Sequence, residues 1–323
     1  MADSTPVTRS RAARVRQSGA ALLAVLWLSA ALAAIAFALA NTERGETERA
    51  STSIEGMRAY YLATGAISRA LLYIQWGRPY FLPGMTRLIY EFPTGHAEVE
   101  LIPETSKLNI NASPPEELFR LIVALGADPE RAQQIVEAII EWRTPASINQ
   151  SSPLDAFYLS LTPSFRPRHA SFEEIEEVLL VRGMTPDLFY GTYERDNQGL
   201  LGPRAGLRDC ASVYGSAGAV NVNAAEPAVM LALGIPPEIA GAIVQVRSQA
   251  PITAETLAHL APGEKRLTVA QADAMTLRAT ARLRRADGTL SRQSRSVAAV
   301  TLFNPTAEVP YETIRWYDNL WVK

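Results

Sequence analysis

The chain has 323 residues, a formal net charge of −2, one cysteine and three histidines. A charge so close to zero argues against a dedicated polyanion binder, and the lone Cys210 rules out an internal disulfide or a thiolate metal cage. His96, His169 and His259 form no HxH or HxxxH pair; they read as surface or cap residues, which argues against a transition-metal enzyme.

A basic leader carrying Arg9, Arg11, Arg14 and Arg16 ends at Gln17-Ser18-Gly19. Behind it, Ala20 to Ala40 holds one polar side chain (Ser29) and no charge. As a helix this run is about 31 Å long, enough to cross a bilayer core. Arginines before it and none within it place the leader in the cytoplasm and everything after Asn41 outside. Three fates are open to the run. A cleaved signal peptide would use the small-x-small site Ala38-Leu39-Ala40, but the run is longer than most h-regions of ~7–15 residues. A plain signal anchor is the second. The third is a prepilin-type leader, cut between Gly19 and Ala20 so that the helix survives. Gly19 followed by Ala20-Ala21-Leu22-Leu23-Ala24-Val25-Leu26-Trp27-Leu28 resembles the N-terminus of type IV pilins and of type II secretion pseudopilins.

From Glu43 to Gln75 there is no proline, and Ile54, Met57, Tyr61, Ile67 and Leu71 recur at helical spacings. The membrane helix is expected to continue as one long rod with an amphipathic outer half, weakened at Gly45, Gly56 and Gly65. Gly77, Pro79, Pro83 and Gly84 end it. Leu88, Tyr90 and Phe92, then Ala97, Val99 and Leu101, alternate with polar or exposed partners around Pro93-Thr94-Gly95, which predicts an antiparallel hairpin. The end of the chain repeats that pattern. Leu277, Ala279, Ala281 and Leu283 alternate, Asp287-Gly288 supplies a turn, Val297 to Phe303 runs back, and Thr313 to Tyr317 can add a strand.

Between the hairpins the sequence reads helical and carries one phrase twice. Leu108-Asn109-Ile110-Asn111-Ala112 matches Val220-Asn221-Val222-Asn223-Ala224. Each copy continues through a proline (Pro114, Pro227) to Leu-Gly (Leu125-Gly126, Leu233-Gly234). From each glycine, proline, glutamate and alanine follow at equal offsets (Pro129, Glu130, Ala132; Pro237, Glu238, Ala240). Then come Ile135-Val136 and Ile243-Val244. Glycine ends one helix and proline opens the next, so each copy predicts two helices joined by a tight hairpin. This resembles the helix-hairpin-helix, or SAM-like, family. The asparagines are expected to bond nearby backbone and fix the start of each hairpin. A third Gly-then-Pro step falls at Val181-Arg182-Gly183-Met184-Thr185-Pro186. Helix-hairpin-helix units often grip DNA phosphates through backbone N–H groups. Here Pro236 and Pro237 have no N–H to donate, and Asp128 and Glu130 oppose a phosphate, so no nucleic acid is expected.

Other features read blandly. The arginines 278, 282, 284, 285, 292 and 295 are expected to form the wet face of an edge hairpin. Gly215-Ser216-Ala217-Gly218 lacks the G-x-S-x-G spacing and reads as a loop. Glu173, Glu174, Glu176 and Glu177 are expected on the first turn and solvent face of a helix opened by Ser171, with Phe172, Ile175, Val178 and Leu179 inward. No catalytic constellation is found, so a non-enzyme is expected.

Taken together, the leader and apolar helix, both Asn-x-Asn units, Ile139-Ile140-Glu141-Trp142-Arg143, Phe157-Tyr158-Leu159-Ser160, Arg166-Pro167 and Val181 to Pro186 resemble the K class of type II secretion minor pseudopilins, the GspK family. The resemblance implies an α+β pilin-like fold: a long N-terminal helix on an antiparallel sheet, with an inserted all-helical domain of helix-hairpin-helix repeats. It implies a leader at 1–19, a transmembrane helix at 20–40, the periplasmic part of the helix at 41–78 and the first part of the sheet at 79–107. The insert then spans 108–270, with its repeats at 108–143 and 220–248, and the second part of the sheet spans 271–323. Further implications are processing by prepilin peptidase at Gly19 and Ala20, single-pass residence in the inner membrane with a periplasmic body, and assembly with the I and J pseudopilins at the pseudopilus tip. Ala24 stands at the mature fifth position, where major pilins carry glutamate; a carboxylate in lipid with no subunit above to pair it is costly, which suits a cap. The K class also implies calcium bound through acids after the Trp-Arg segment. In this chain that stretch is poor in acids, leaving Asp155, Asp196 and Asn197 as candidate ligands. Alternatives are a minor pilin of a type IV pilus and a membrane-anchored helix-hairpin-helix DNA receptor.

Overall fold

The computed structural model describes residues 14–77, 79–145, 153–195, 199–304 and 308–318. The chain divides into two units, Met1–Arg58 and Ala59–Lys323. In chain order the elements begin with α1 (Arg14–Trp76), β1 (Arg87–Phe92), β2 (Gly95–Pro103), β3 (Leu108–Asn109), α2 (Pro115–Ala124), α3 (Pro129–Arg143) and α4 (Pro153–Leu159). Then come α5 (Pro186–Tyr190), β4 (Thr192–Arg195), β5 (Leu201–Arg204), α6 (Leu207–Cys210), β6 (Ala211–Ser212), β7 (Val220–Asn221), α7 (Pro227–Ala232) and α8 (Pro237–Arg247). The last are α9 (Ala254–Leu260), β8 (Leu267–Thr268), β9 (Ala274–Leu283), β10 (Arg295–Phe303) and β11 (Tyr311–Tyr317).

Helix α1 is continuous through Gly45, Gly56 and Gly65. Its Ala20–Ala40 stretch leaves its large apolar side chains in the open, Trp27 at 73 % exposure, so this is no core helix. By length and composition it is the one described helix able to cross a membrane. Farther along, the buried stripe is Ala59, Ala63, Ala66, Ile67, Ala70, Leu71 and Ile74, whereas Ile54, Met57 and Tyr61 are exposed. The periodicity identified the helix, but its inner face is set by alanines. Their small side chains let the helix lie close on the sheet.

That sheet has five strands in the order β1-β2-β9-β10-β11, antiparallel throughout. The register pairs Leu88 with Val99 and Tyr90 with Ala97, then Val99 with Ala279 and Leu101 with Leu277. Because side chains alternate across a strand, these residues face α1 together and form one core with Ala63, Ile67 and Leu71. Strand β9 is central, so the arginines at 278 and 282 do not line an edge as expected. Strands β1 and β11 are the edges. Much of the basic character is neutralised across strands, Arg278 pairing with Glu100 and Arg284 with Glu91.

The residues between β2 and β9 enclose a second core, running from Leu108 to Leu267. This part is not all-helical. Two-residue parallel ladders join β3 to β6 and β7 to β8, and β4 with β5 makes a small antiparallel hairpin. The extended residue at the first Asn of each Asn-x-Asn phrase produces the two parallel ladders, a feature too short to show in any hydrophobic period. The two copies pack through their first helices, where Arg120 of α2 donates to the Ala232 carbonyl of α7 at 2.7 Å.

The hairpins are built alike. Gly126 (φ +90°) and Gly234 (φ +83°) take the left-handed conformation that favours glycine. Gly126 N–H bonds the Val123 carbonyl and Ala127 N–H that of Ile122; Gly234 and Ile235 repeat the pair on Leu231 and Met230. Both are Schellman ends. At the Gly183 step the first helix is 3-10, Ile175–Leu180, capped by Glu174 rather than Ser171, with Glu174 and Glu177 exchanging backbone bonds. Gly183 has φ +85° and α5 opens at Pro186.

Candidate functional site

Each Asn-x-Asn phrase is a duplicated lock. Asn109 Oδ1 accepts the N–H of Asn111 at 2.9 Å, and Asn221 Oδ1 accepts that of Asn223 at 3.0 Å. The second asparagine then makes a reciprocal pair with a later segment. Asn111 bonds both the N–H (2.7 Å) and the carbonyl (2.9 Å) of Phe172. Asn223 does the same with Ile252, at 2.7 and 3.1 Å. The last residue of each second helix closes the loop: Arg143 donates to the carbonyls of Ile110 and Ser113, Arg247 to those of Val222 and Ala225. Burial pushes both guanidinium pKa values down. The asparagines are therefore structural, as their chemistry suggested.

The copies differ in what separates the arginine from the locked segment. In the second it is residues 248–251; in the first it is 144–171. The described part of that longer connection returns to α3 through aromatics. Trp142 stacks on Phe172 with ring centroids 5.8 Å apart and meets Tyr158 edge-on at 5.9 Å, and Ala170 N–H bonds the Trp142 carbonyl at 3.0 Å. Beside them three titratable side chains converge: Glu141 near the end of α3, Asp155 in the first turn of α4, and His169, which adopts φ 50°. One ligand atom from each lies within 4.8 Å of the others. His169 Nε2 and Asp155 Oδ1 stand 2.9 Å apart, the side chains 15 % and 23 % exposed. The Leu154 backbone bonds the Glu141 carboxylate, yet Glu141 Oε1 is sealed from solvent with no partner. Burial pushes the Glu141 carboxyl above its ordinary range, His169 pulls it back, and the Asp155 charge adds to the rise.

Of the sequence-predicted calcium ligands, Asp155 enters this cluster, and Asp196 and Asn197 lie outside the described residues. The cluster does not fit calcium, which takes about six to eight oxygens; it offers two carboxylates and an imidazole nitrogen. Sequence reasoning missed Glu141 and His169. His169 is largely buried and paired, not a surface residue, while His259 does sit at a helix end, its Nδ1 2.7 Å from the Glu255 carbonyl. Gly19 and Ala20 lie within α1, and residues 1–13 of the leader lie outside the described residues.

A cavity of about 1060 Å³ opens between the sheet face opposite α1 and the 173–176 segment. Its charges are mostly matched: Glu100 with Arg278, and Glu174 with Arg315 of β11. At its edge Glu104, 2 % exposed, bonds Lys107 Nζ at 3.0 Å and Thr276 Oγ1 at 2.6 Å. Burial pushes its carboxyl up, but Lys107 and the Ser212 and Thr276 hydroxyls together outweigh that and leave it below the usual range. Ser216 of the Gly215–Gly218 loop bonds the Ala219 carbonyl and shows no nucleophile geometry.

The phosphate-gripping chemistry of helix hairpins is already committed elsewhere. The N–H groups of Gly126, Ala127, Gly234 and Ile235 are all used within the Schellman ends, and the Asp128 carboxylate caps α3 by accepting from Arg131 N–H at 2.9 Å.

Residues 101–191 match the family model described as type II secretion system (T2SS), protein K. In fold, the chain is similar to one in the crystal structure of the GspK-GspI-GspJ complex from the enterotoxigenic Escherichia coli type 2 secretion system. The identity is 16 %, the TM-score 0.53, with 83 % of this chain and 98 % of that chain covered. No curated protein sequence matches the chain. The long helix and antiparallel sheet thus share the fold of that GspK chain, and residues 101–191 carry the protein K match. The matched segment and the shared fold agree with the K-class resemblance that the sequence carries.

Proposed function

We propose that the chain is a non-enzymatic tip subunit of the type II secretion pseudopilus, helping to assemble the filament that exports folded proteins from the periplasm. In this reading residues 1–19 are a leader removed by prepilin peptidase between Gly19 and Ala20. Residues 20–40 anchor the mature protein in the inner membrane, 41–78 continue the helix, and the body lies in the periplasm. The sheet is split into 79–107 and 271–323 around an insert at 108–270, whose duplicated Gly-then-Pro hairpins are helix-hairpin-helix units turned to protein contacts. The body caps a filament with the I and J class pseudopilins as neighbours. The observation that carries the reading is the protein K match, which runs from β2 through the first half of the insert, residues 101–191. Ala24 supports the cap position, since no glutamate seeks a subunit above.

N-terminal sequencing of protein recovered from membranes tests the processing step. A start at Ala20 is expected. A start at Asn41 would return the helix to a signal peptide, and an intact Met1 would leave a plain anchor.

A further inference from the structure

The mismatch with calcium at Glu141, Asp155 and His169 is itself informative. An imidazole nitrogen with two carboxylate oxygens is a set for borderline dications of the zinc class, which bind nitrogen and oxygen at about 2.0–2.2 Å. Around such an ion tetrahedral ligand atoms stand roughly 3.3 Å apart. The three ligand atoms already lie within 4.8 Å of one another, a gap that side-chain rotation closes. Two further observations aim the cluster at a cation. Glu141 Oε1 is buried and accepts no hydrogen bond, a state that costs free energy unless a partner arrives. His169 presents Nε2, its nitrogen nearest the carboxylates, directly at Asp155.

We propose that Glu141, Asp155 and His169 bind one zinc-class divalent ion, with water at the fourth position, and that the ion pins the 153–170 connection to the end of α3. The ion takes the place of the hydrogen now shared between His169 Nε2 and Asp155 Oδ1, and the ring carries its N–H on Nδ1 instead. The second repeat, whose connection is the short 248–251, has no counterpart and needs none. The clamp thus belongs to the extra length of the first copy. Phe172, at the far end of this connection, is the residue that Asn111 holds, so the ion and the asparagine lock secure the same segment from two sides. This inference concerns the body alone and does not depend on any assembly partner.

The test uses the full chain in detergent, carrying a histidine-free tag and stripped with chelator. Titration with zinc chloride, followed by calorimetry and by elemental analysis after dialysis, is expected to give one bound zinc per chain and a raised melting temperature. Calcium chloride at the same concentration is expected to leave the melting temperature unchanged. His169→Gln and Glu141→Gln should each weaken zinc binding at least tenfold. His96→Gln, which also removes an imidazole beside a carboxylate, should leave it as in the parent. Should His169→Gln fail to fold, Glu141→Gln decides, since it keeps the shape of the side chain and removes only the anionic ligand. Calcium binding in preference to zinc, no zinc binding at all, or unchanged affinity in Glu141→Gln would each overturn the proposal.

Discussion

Replacing Asn223 by alanine tests the duplicated lock at its most buried point. Asn223 is 7 % exposed and Ile252 is 2 % exposed. The substitution removes the side chain that satisfies both the Ile252 N–H, at 2.7 Å, and its carbonyl, at 3.1 Å. Each buried backbone group left without a partner costs about 1–3 kcal/mol. Allowing one of the two to find water, the expected loss is about 2 kcal/mol. With a urea m-value of about 3 kcal/mol/M, that moves the unfolding midpoint by about 0.7 M. Asn111→Ala breaks the equivalent pair with Phe172, but Asn111 is only half-buried, so water reaches the site and the loss should be smaller. Asn223→Asp keeps the acceptor for Ile252 N–H and turns a carboxylate oxygen toward the Ile252 carbonyl, so it should be no better than alanine. Urea unfolding followed by tryptophan fluorescence ranks the three. A loss under 0.5 kcal/mol for Asn223→Ala, or parental stability for Asn223→Asp, would refute the reasoning.

Other perturbations separate the remaining arguments. Glu104→Gln strands Lys107, which is 13 % exposed, and breaking such a buried pair costs about 3–5 kcal/mol by urea unfolding. The same carboxylate gives a pH dependence. Its folded pKa lies below the ordinary 4.5, so its contribution is full above that pH and is lost as pH falls through the folded value. The stability difference between parent and Glu104→Gln should therefore narrow on going from pH 6 into the acid range, and a constant difference would contradict the pairing. A Cβ at Gly206 would stand 2.2 Å from the Gly191 backbone nitrogen, so Gly206→Ala should give largely insoluble protein. A Cβ at Gly234 meets nothing within 4 Å and only the positive φ resists it, so Gly234→Ala should cost about 1–2 kcal/mol and stay soluble.

Much of this was legible wherever a short period or a pair of special residues carries the structure. The hairpins of β1 with β2 and β9 with β10 follow from alternation. Each Gly-then-Pro step follows from the backbone demands of those two residues, and the repeat exposed the paired asparagines, though not the distant Phe172 and Ile252 that they hold. What stayed hidden depends on partners distant in sequence. The inner stripe of α1 is alanine, which carries little hydrophobic signal and faces inward only because the sheet lies close. The central place of β9 comes from its pairing with β2 across the whole insert, so its arginines looked like an edge. The parallel ladders are two residues long. Glu141, Asp155 and His169 come together because Trp142, Tyr158 and Phe172 fold the connection back onto α3, and no spacing in the sequence announces that.

The central claim is that this body takes its place among minor pseudopilins. Its most direct test is co-expression of the full chain with the I and J class pseudopilins of the same cell, followed by purification through a tag on this chain and mass measurement. The account predicts one complex holding all three subunits in equal amounts. Recovery of this chain alone, while the I and J proteins associate without it, would contradict it.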